Sequence, residues 1–178
     1  VLLYLLACLV SYSPEDPGWS RSGSVTGPIG NFGGVAGAYF ADIMLSFFGI
    51  GAYLLPFLLG YVIWLALRGR GNGGETALTP ALRLIGVFGF LVAVSGLAHL
   101  NPPDHFATQL PVGAGGLLGQ LVSDSLQHVF GYLGAALFAV TVLLVGITLA
   151  TGLSWFALMD RIGRAVLAAF AWPGAMLG

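Results

Sequence analysis

Charged side chains are missing from stretches of this chain long enough to cross a lipid bilayer, and that absence limits its fold more than any motif does. Ile43 to Leu67 is 25 residues without an acid or a base. Leu84 to Leu100 carries only His99, and Ser125 to Met159 only His128. A helix rises about 1.5 Å per residue, so the first run reaches about 37 Å against a hydrocarbon core of about 30 Å. Charged residues are 7% of the 178, where a soluble domain carries about 25%. With 57% apolar residues and a mean hydropathy of +0.93, a water-soluble fold would expose large apolar patches. The expected fold is all-α: a polytopic membrane protein with four transmembrane helices and short interfacial helices.

The segments follow from the runs. Residues 1–12 are apolar but reach only about 18 Å as helix, too short to span. They read as the outer part of a spanning helix whose inner part precedes Val1, in a chain expected to be a fragment. Residues 13–36 form an outer loop in which Pro14, Pro17 and Pro28 oppose helix. The second span is expected at 37–67, with Asp42 inside its start and a kink at Pro56, which removes one backbone hydrogen bond. An inner connection at 68–83 includes Gly69 to Gly74. The third span, 84–100, ends at Asn101-Pro102-Pro103. Within the outer segment 101–130, polar positions 120, 124, 127 and 128 recur at helical spacing, so 112–130 reads as an amphipathic interfacial or re-entrant helix. The fourth span is 131–153, and an interfacial helix at 155–172 stops at Pro173.

Arginine orients these segments. Five of the six arginines (Arg68, Arg70, Arg83, Arg161 and Arg164) fall on one side if the 68–83 connection and the C-terminal tail are cytoplasmic. Glu15, Asp16, Asp104 and Asp124 then lie outside, with both ends inside. Trp19, Tyr39, Tyr53, Trp64 and Trp155 stand near span ends as interfacial aromatics do.

Side chains able to carry chemistry are few. Cys8 is the lone cysteine, so there is no intramolecular disulfide or paired-thiolate metal site. His99, Asp104 and His105 are close in sequence, but three ligands around two prolines make a poor metal site; no metal is expected. Asp42 admits a proton- or partner-binding role. It also admits a helix-start role offset by Arg21 or by the helix dipole, and the second reading is preferred. Gly30/Gly34, Gly33/Gly37 and Gly115/Gly119 recur at four-residue spacing, and Gly49, Gly51 and Gly60 line the second span; small residues let membrane helices approach closely. No phosphate loop, nucleophile elbow or metal-binding helix motif occurs, and there is no lysine. The chain itself is therefore not expected to bind DNA or hydrolyse ATP.

The order of short phrases then resembles a known family. Ser11-Tyr12-Ser13-Pro14-Glu15-Asp16-Pro17-Gly18-Trp19 is followed by Asn31-Phe32-Gly33-Gly34 and by Gly37-Ala38-Tyr39-Phe40-Ala41-Asp42. Phe48-Gly49, Ala52-Tyr53, Pro56, Leu82-Arg83-Leu84-Ile85-Gly86, and Thr151-Gly152 with Ser154-Trp155 come next. This sequence of motifs is similar to the N-terminal membrane domain of the FtsK/SpoIIIE family of DNA translocases, across nearly the whole chain. The resemblance implies a four-span inner-membrane anchor and scaffold at the division septum, multi-pass with both ends cytoplasmic. It implies a linker and a hexameric ATP-driven DNA motor beyond Gly178. ATP and Mg would act there, with no cofactor in this fragment. Implied partners are membrane lipid, other division-machinery proteins and further copies of the chain, with DNA reached only through the motor. Pro14, Asp16, Pro17, Trp19, Gly34, Gly37, Asp42 and Gly49 are the candidate partner or packing positions, and no catalytic residue is carried over. The alternatives are a small transporter or channel using Asp42, His99 and His128, and a membrane enzyme using Asp104 and His105 at the outer face.

Overall fold

The computed structural model describes residues 1–20, 28–69, 78–103 and 110–171. Among the described residues six α-helices form: α1 (Leu2–Val10), α2 (Gly34–Phe48), α3 (Leu55–Gly69), α4 (Leu78–Leu100), α5 (Gly116–Thr151) and α6 (Trp155–Ala171). A short 3-10 helix, Gly49–Leu54, joins α2 to α3. Among the described residues there is no strand.

Among the described residues three stretches are long and apolar enough to cross a membrane: Gly34–Leu67, Pro80–Leu100 and Gly116–Thr151. The first and third have 34 and 36 residues. As straight helices each would exceed about 50 Å, far more than a bilayer core of about 30 Å. Both are broken by a glycine that no other residue could replace without strain. Gly49 has φ 55° and ψ −133°; Gly131 has φ 67° and ψ 178°. Each break leaves a 15-residue helical arm before a segment of membrane-crossing length: residues 49–69 after the first, 132–151 after the second.

This corrects the expected second span. Residues 37–67 are not one helix kinked at Pro56. The chain turns at Gly49, and Pro56 lies in the first turn of α3, where a missing N–H costs nothing because that donor has no helical partner anyway. Helix α4 begins at Leu78, earlier than the expected 84, and ends at Leu100, before Asn101-Pro102-Pro103. The break at Gly131 falls where the interfacial piece and the fourth span were expected to meet. Gly152, in the left-handed region, ends α5 by donating its N–H to the Thr148 carbonyl at 2.8 Å. Helix α6 follows, carrying an Arg164–Asp160 pair at 2.9 Å one turn apart.

Packing is inverted relative to a soluble protein. Most of the buried residues are small, among them Ala38, Ala41, Ala52, Ala93, Ala135, Ala139, Ala150, Ser95 and Ser123, with Leu9, Leu45, Leu91 and Leu110 the larger apolar exceptions. Large apolar side chains such as Ile63, Phe88, Leu133 and Leu137 face outward, as expected where lipid is the solvent and association depends on close backbone approach. Helix α4 runs antiparallel to the 132–151 segment and meets it through glycine. A Cβ on Gly86 would lie 2.8 Å from the Gly146 carbonyl oxygen, and one on Gly146 2.9 Å from that of Gly86. The Tyr61 hydroxyl donates to the Ala150 carbonyl at 2.7 Å, tying α3 to the same end. Helix α1 lies antiparallel to α3, with Leu2 against Gly60 and a cluster of Leu9, Ala41, Leu45, Ala52 and Leu110 at the other end.

Candidate functional site

A dense polar network lies where the loop after α1 folds back over α2. Asp42 is 2% exposed, nine residues into α2. Its carboxylate accepts from the Ser20 N–H and the Ser20 hydroxyl, each at 2.7 Å, and from the Tyr12 hydroxyl at 3.3 Å. Gly18 passes so close that an added Cβ would sit 2.7 Å from the Asp42 carboxyl carbon. The charge of Asp42 is thus met by loop donors rather than by the α2 dipole, which acts only within the first turn. Arg21, the expected counter-charge, lies outside the described residues.

Asn31, 5% exposed, closes the other side of the loop. Its amide donates to the Cys8 carbonyl at 2.8 Å and to that of Ser11 at 3.4 Å, while its side-chain oxygen accepts the Gly33 N–H at 2.9 Å. Asp16 accepts the Gly30 N–H at 2.8 Å. Pro14 and Pro17 are half-buried in this turn. Trp19 is 59% exposed, with one face stacked on Phe47 at 6.1 Å between ring centroids. Gly37 is buried because a Cβ there would meet the Cys8 sulfur at 2.8 Å. Gly34 has φ 64° and open space around it.

Gly49, read from sequence as a midspan packing position, packs inside the chain. A Cβ there would overlap the Ala114 carbonyl oxygen and lie 2.6 Å from the Gly116 nitrogen. The Ile50 N–H, freed by the break, donates to that same Ala114 carbonyl at 2.8 Å. The Ser95 hydroxyl donates to the Phe48 carbonyl at 2.9 Å. These contacts join the first half of the chain to the second.

His99 pairs with Asp124, its Nε2 lying 3.4 Å from Asp124 Oδ1. His128 is exposed on α5, and Asp104 and His105 lie outside the described residues. Among the described residues no three His, Cys, Asp or Glu side chains gather as metal ligands. A cavity among Leu58, Val87, Phe90 and Ile147 is lined chiefly by apolar groups.

The structure also brings out a repeat that the sequence analysis missed. Residues 33–49 and 115–131 share six of 17 positions: Gly33/Gly115, Gly34/Gly116, Gly37/Gly119, Asp42/Asp124, Phe48/Phe130 and Gly49/Gly131. The positive-φ glycines recur with them, at φ 64° and 55° in the first half and 62° and 67° in the second. So do the turns. Gly34 N–H to Asn31 and Gly37 N–H to Gly33 match Gly116 N–H to Gly113 and Gly119 N–H to Gly115. The Cys8 sulfur packs under Gly33 and Gly37, and the Ser95 backbone carbonyl packs under Gly115 and Gly119. Tyr12 meets Asp42 as His99 meets Asp124. Each half is therefore a helix, a loop, a 15-residue arm bounded by two positive-φ glycines, and a returning helix. The halves diverge at the carboxylate: Asp42 is sealed by its longer loop, whereas the Asp124 side chain is 58% exposed. A search for Gly-Gly-x-x-Gly followed by Asp and by Phe-Gly would have found the duplication.

Arms, broken spans and small-residue contacts define a helical, polytopic membrane domain. The family model for the 4TM region of DNA translocase FtsK/SpoIIIE matches residues 1–163. The chain belongs to that family. It is 36% identical over 169 residues to the DNA translocase FtsK of Pseudomonas syringae pv. tomato, covering 94% of this chain and 21% of that protein. It is 36% identical over 161 residues to the DNA translocase FtsK of Shewanella oneidensis, with 90% and 17% covered. It is 34% identical over 171 residues to DNA translocase FtsK 2 of Ralstonia nicotianae, with 93% and 22% covered. The chain spans about a fifth of the length of these curated relatives. No solved structure matches it. Family and apolar helices together make it an inner-membrane protein.

Proposed function

We propose that this chain anchors a cell-division DNA translocase in the inner membrane and acts as its scaffold at the division septum. The ATP-driven motor it tethers would be cytoplasmic, with ATP and Mg bound there and DNA reached only through it. Both ends of the chain would face the cytoplasm, following the arginine distribution. The loops after α1 and α4 would face outward toward other division proteins, surrounded by membrane lipid. No catalytic role is assigned to any residue of this chain.

The observation that carries the anchor reading over a transporter is the state of Asp42. A proton- or ion-coupling carboxylate needs a changing set of partners along a polar path. Asp42 is instead held by three donors, two of them from one loop residue, which suits a fixed loop clamp. Trp19, displayed beside that clamp, offers a rigid aromatic surface to a partner.

The test has two arms. Septal placement of a fluorescent fusion should be kept by this chain and lost when an unrelated four-span segment replaces it; equal placement by the unrelated segment would refute the scaffold role. Threading is tested with Glu15→Cys and Asn72→Cys in sealed cells. An impermeant thiol reagent added outside should label the first and spare the second, and labelling of both would overturn the orientation.

A further inference from the structure

The contact between the two halves is directional. The end of the first arm (Phe47, Phe48, Gly49) and Ile50 after it dock on the start of the second (Ala114 to Gly116). The Ile50 N–H to Ala114 carbonyl bond measures 2.8 Å, and a Cβ on Gly116 would meet the Phe47 carbonyl oxygen at 2.7 Å. Burial at this joint is tight, with Ala114 only 3% exposed and Gly49 and Gly116 both buried.

Because the arm is repeated, each chain holds one more end and one more start of the same kind, and both are open. The end of the second arm is Val129-Phe130-Gly131, followed by Tyr132. Val129 is 68% and Phe130 58% exposed, and a Cβ on Gly131 would meet nothing within 4 Å. The start of the first arm is Phe32-Gly33-Gly34. Phe32 is 79% exposed, and a Cβ on Gly34 likewise meets nothing within 4 Å. The turns of the joint recur on both sides, with ψ 178° at Gly131 against −133° at Gly49. Gly131 carries the same positive φ as Gly49, and the turn at Asn31 to Gly37 reproduces the one at Gly113 to Gly119.

We infer that copies of this chain join head to tail through these two faces, the end of the second arm of one copy docking on the start of the first arm of the next. The joint repeats between chains the contact that already links the halves within one, with the Tyr132 N–H aimed at the Phe32 carbonyl of the neighbour. The partner is a second copy of this chain, and the interface is heterologous: neither face pairs with itself. Such a contact closes into a ring when its rotation divides a full turn. The inference rests on the anchor reading only in requiring all copies to thread the bilayer alike.

Oxidative cross-linking in membranes tests it, with the buried Cys8 as the internal control. A chain carrying both Phe32→Cys and Tyr132→Cys should give a ladder of covalent dimers, trimers and higher species. Either substitution alone should stay monomeric, and the two single variants co-expressed should stop at dimers. The pair Ile50→Cys and Ala114→Cys should close within one chain, since hydrogen-bonded backbones lie within disulfide reach of about 7 Å. Gly131→Leu should erase the ladder and leave the 50–114 closure intact. Dimers from one single variant alone would mean a symmetric contact and overturn the proposal. So would a monomeric double variant beside a closed 50–114 pair, and failure of the 50–114 pair would remove the template itself. Loss of septal placement with the ladder intact counts against the anchor role only; loss of the ladder with placement intact counts against this inference only.

Discussion

Replacing Gly49 with alanine should destabilise the fold far more than the same change at Gly131, although both glycines hold a positive φ. At both positions alanine must adopt a positive φ, a strain of roughly 1–3 kcal/mol. At Gly131 nothing else is touched, because an added Cβ has open space. At Gly49 the methyl overlaps the Ala114 carbonyl and crowds the Gly116 nitrogen at 2.6 Å. Overpacking of that kind costs about 1–3 kcal/mol. The joint must also open, which lengthens the Ile50 to Ala114 hydrogen bond, a further loss of about 0.5–1.5 kcal/mol. The total at Gly49 is then roughly 3–7 kcal/mol, comparable with the whole stability of a typical domain. The gap between the two variants is the informative quantity, at about 2–4 kcal/mol. It can be read by SDS titration of dilute, monomeric protein in mild detergent, followed by tryptophan fluorescence. Trp19 stacks on Phe47, two residues from the substitution, and so reports locally. Equal destabilisation by the two variants would refute the claim that the halves meet backbone to backbone at Gly49.

Three further outcomes follow from the same geometry. Asp42→Ala should free the loop without unfolding the helices, since it removes the acceptor of three hydrogen bonds, each worth about 1.5–3 kcal/mol when one partner is charged; Trp19 quenching by iodide should rise, less so in Asp42→Asn, and unchanged quenching in both would remove the clamp. Asn31→Ala should cost about 2–3 kcal/mol, because it strands the buried Cys8 carbonyl and the partly buried Gly33 N–H, and amide exchange at Gly33 should quicken accordingly. Gly146→Leu should separate α4 from α5 and abolish the folded monomer, whereas Gly89→Ala, which meets only Val142 at 3.8 Å, should be neutral or stabilising by about 0.5–1 kcal/mol; SDS midpoints in the opposite order would contradict the glycine-mediated contact.

The amino-acid sequence alone determined the solvent and the element type. Runs without charge require lipid around them, and in lipid the backbone must satisfy itself as helix. Asn101-Pro102-Pro103 also marked the end of α4, and the polar spacing at 120, 124, 127 and 128 marked the arm before Gly131. Tertiary structure decided where the longest apolar runs turn. Nothing local distinguishes Gly49 from Gly51 or Gly60, and Pro56 looks the stronger breaker. Gly49 turns because the start of the second arm presses against it, a contact between residues more than sixty positions apart. Asp42 likewise read as a helix-start acid with Arg21 or the dipole as its offset, since the loop donors of Ser20 reach it only once the chain has folded back. Hydropathy is a property of neighbours in sequence, and it reports the surrounding medium. A glycine's role depends on which distant backbone comes within 3 Å of its missing Cβ, and only the assembled helices supply that.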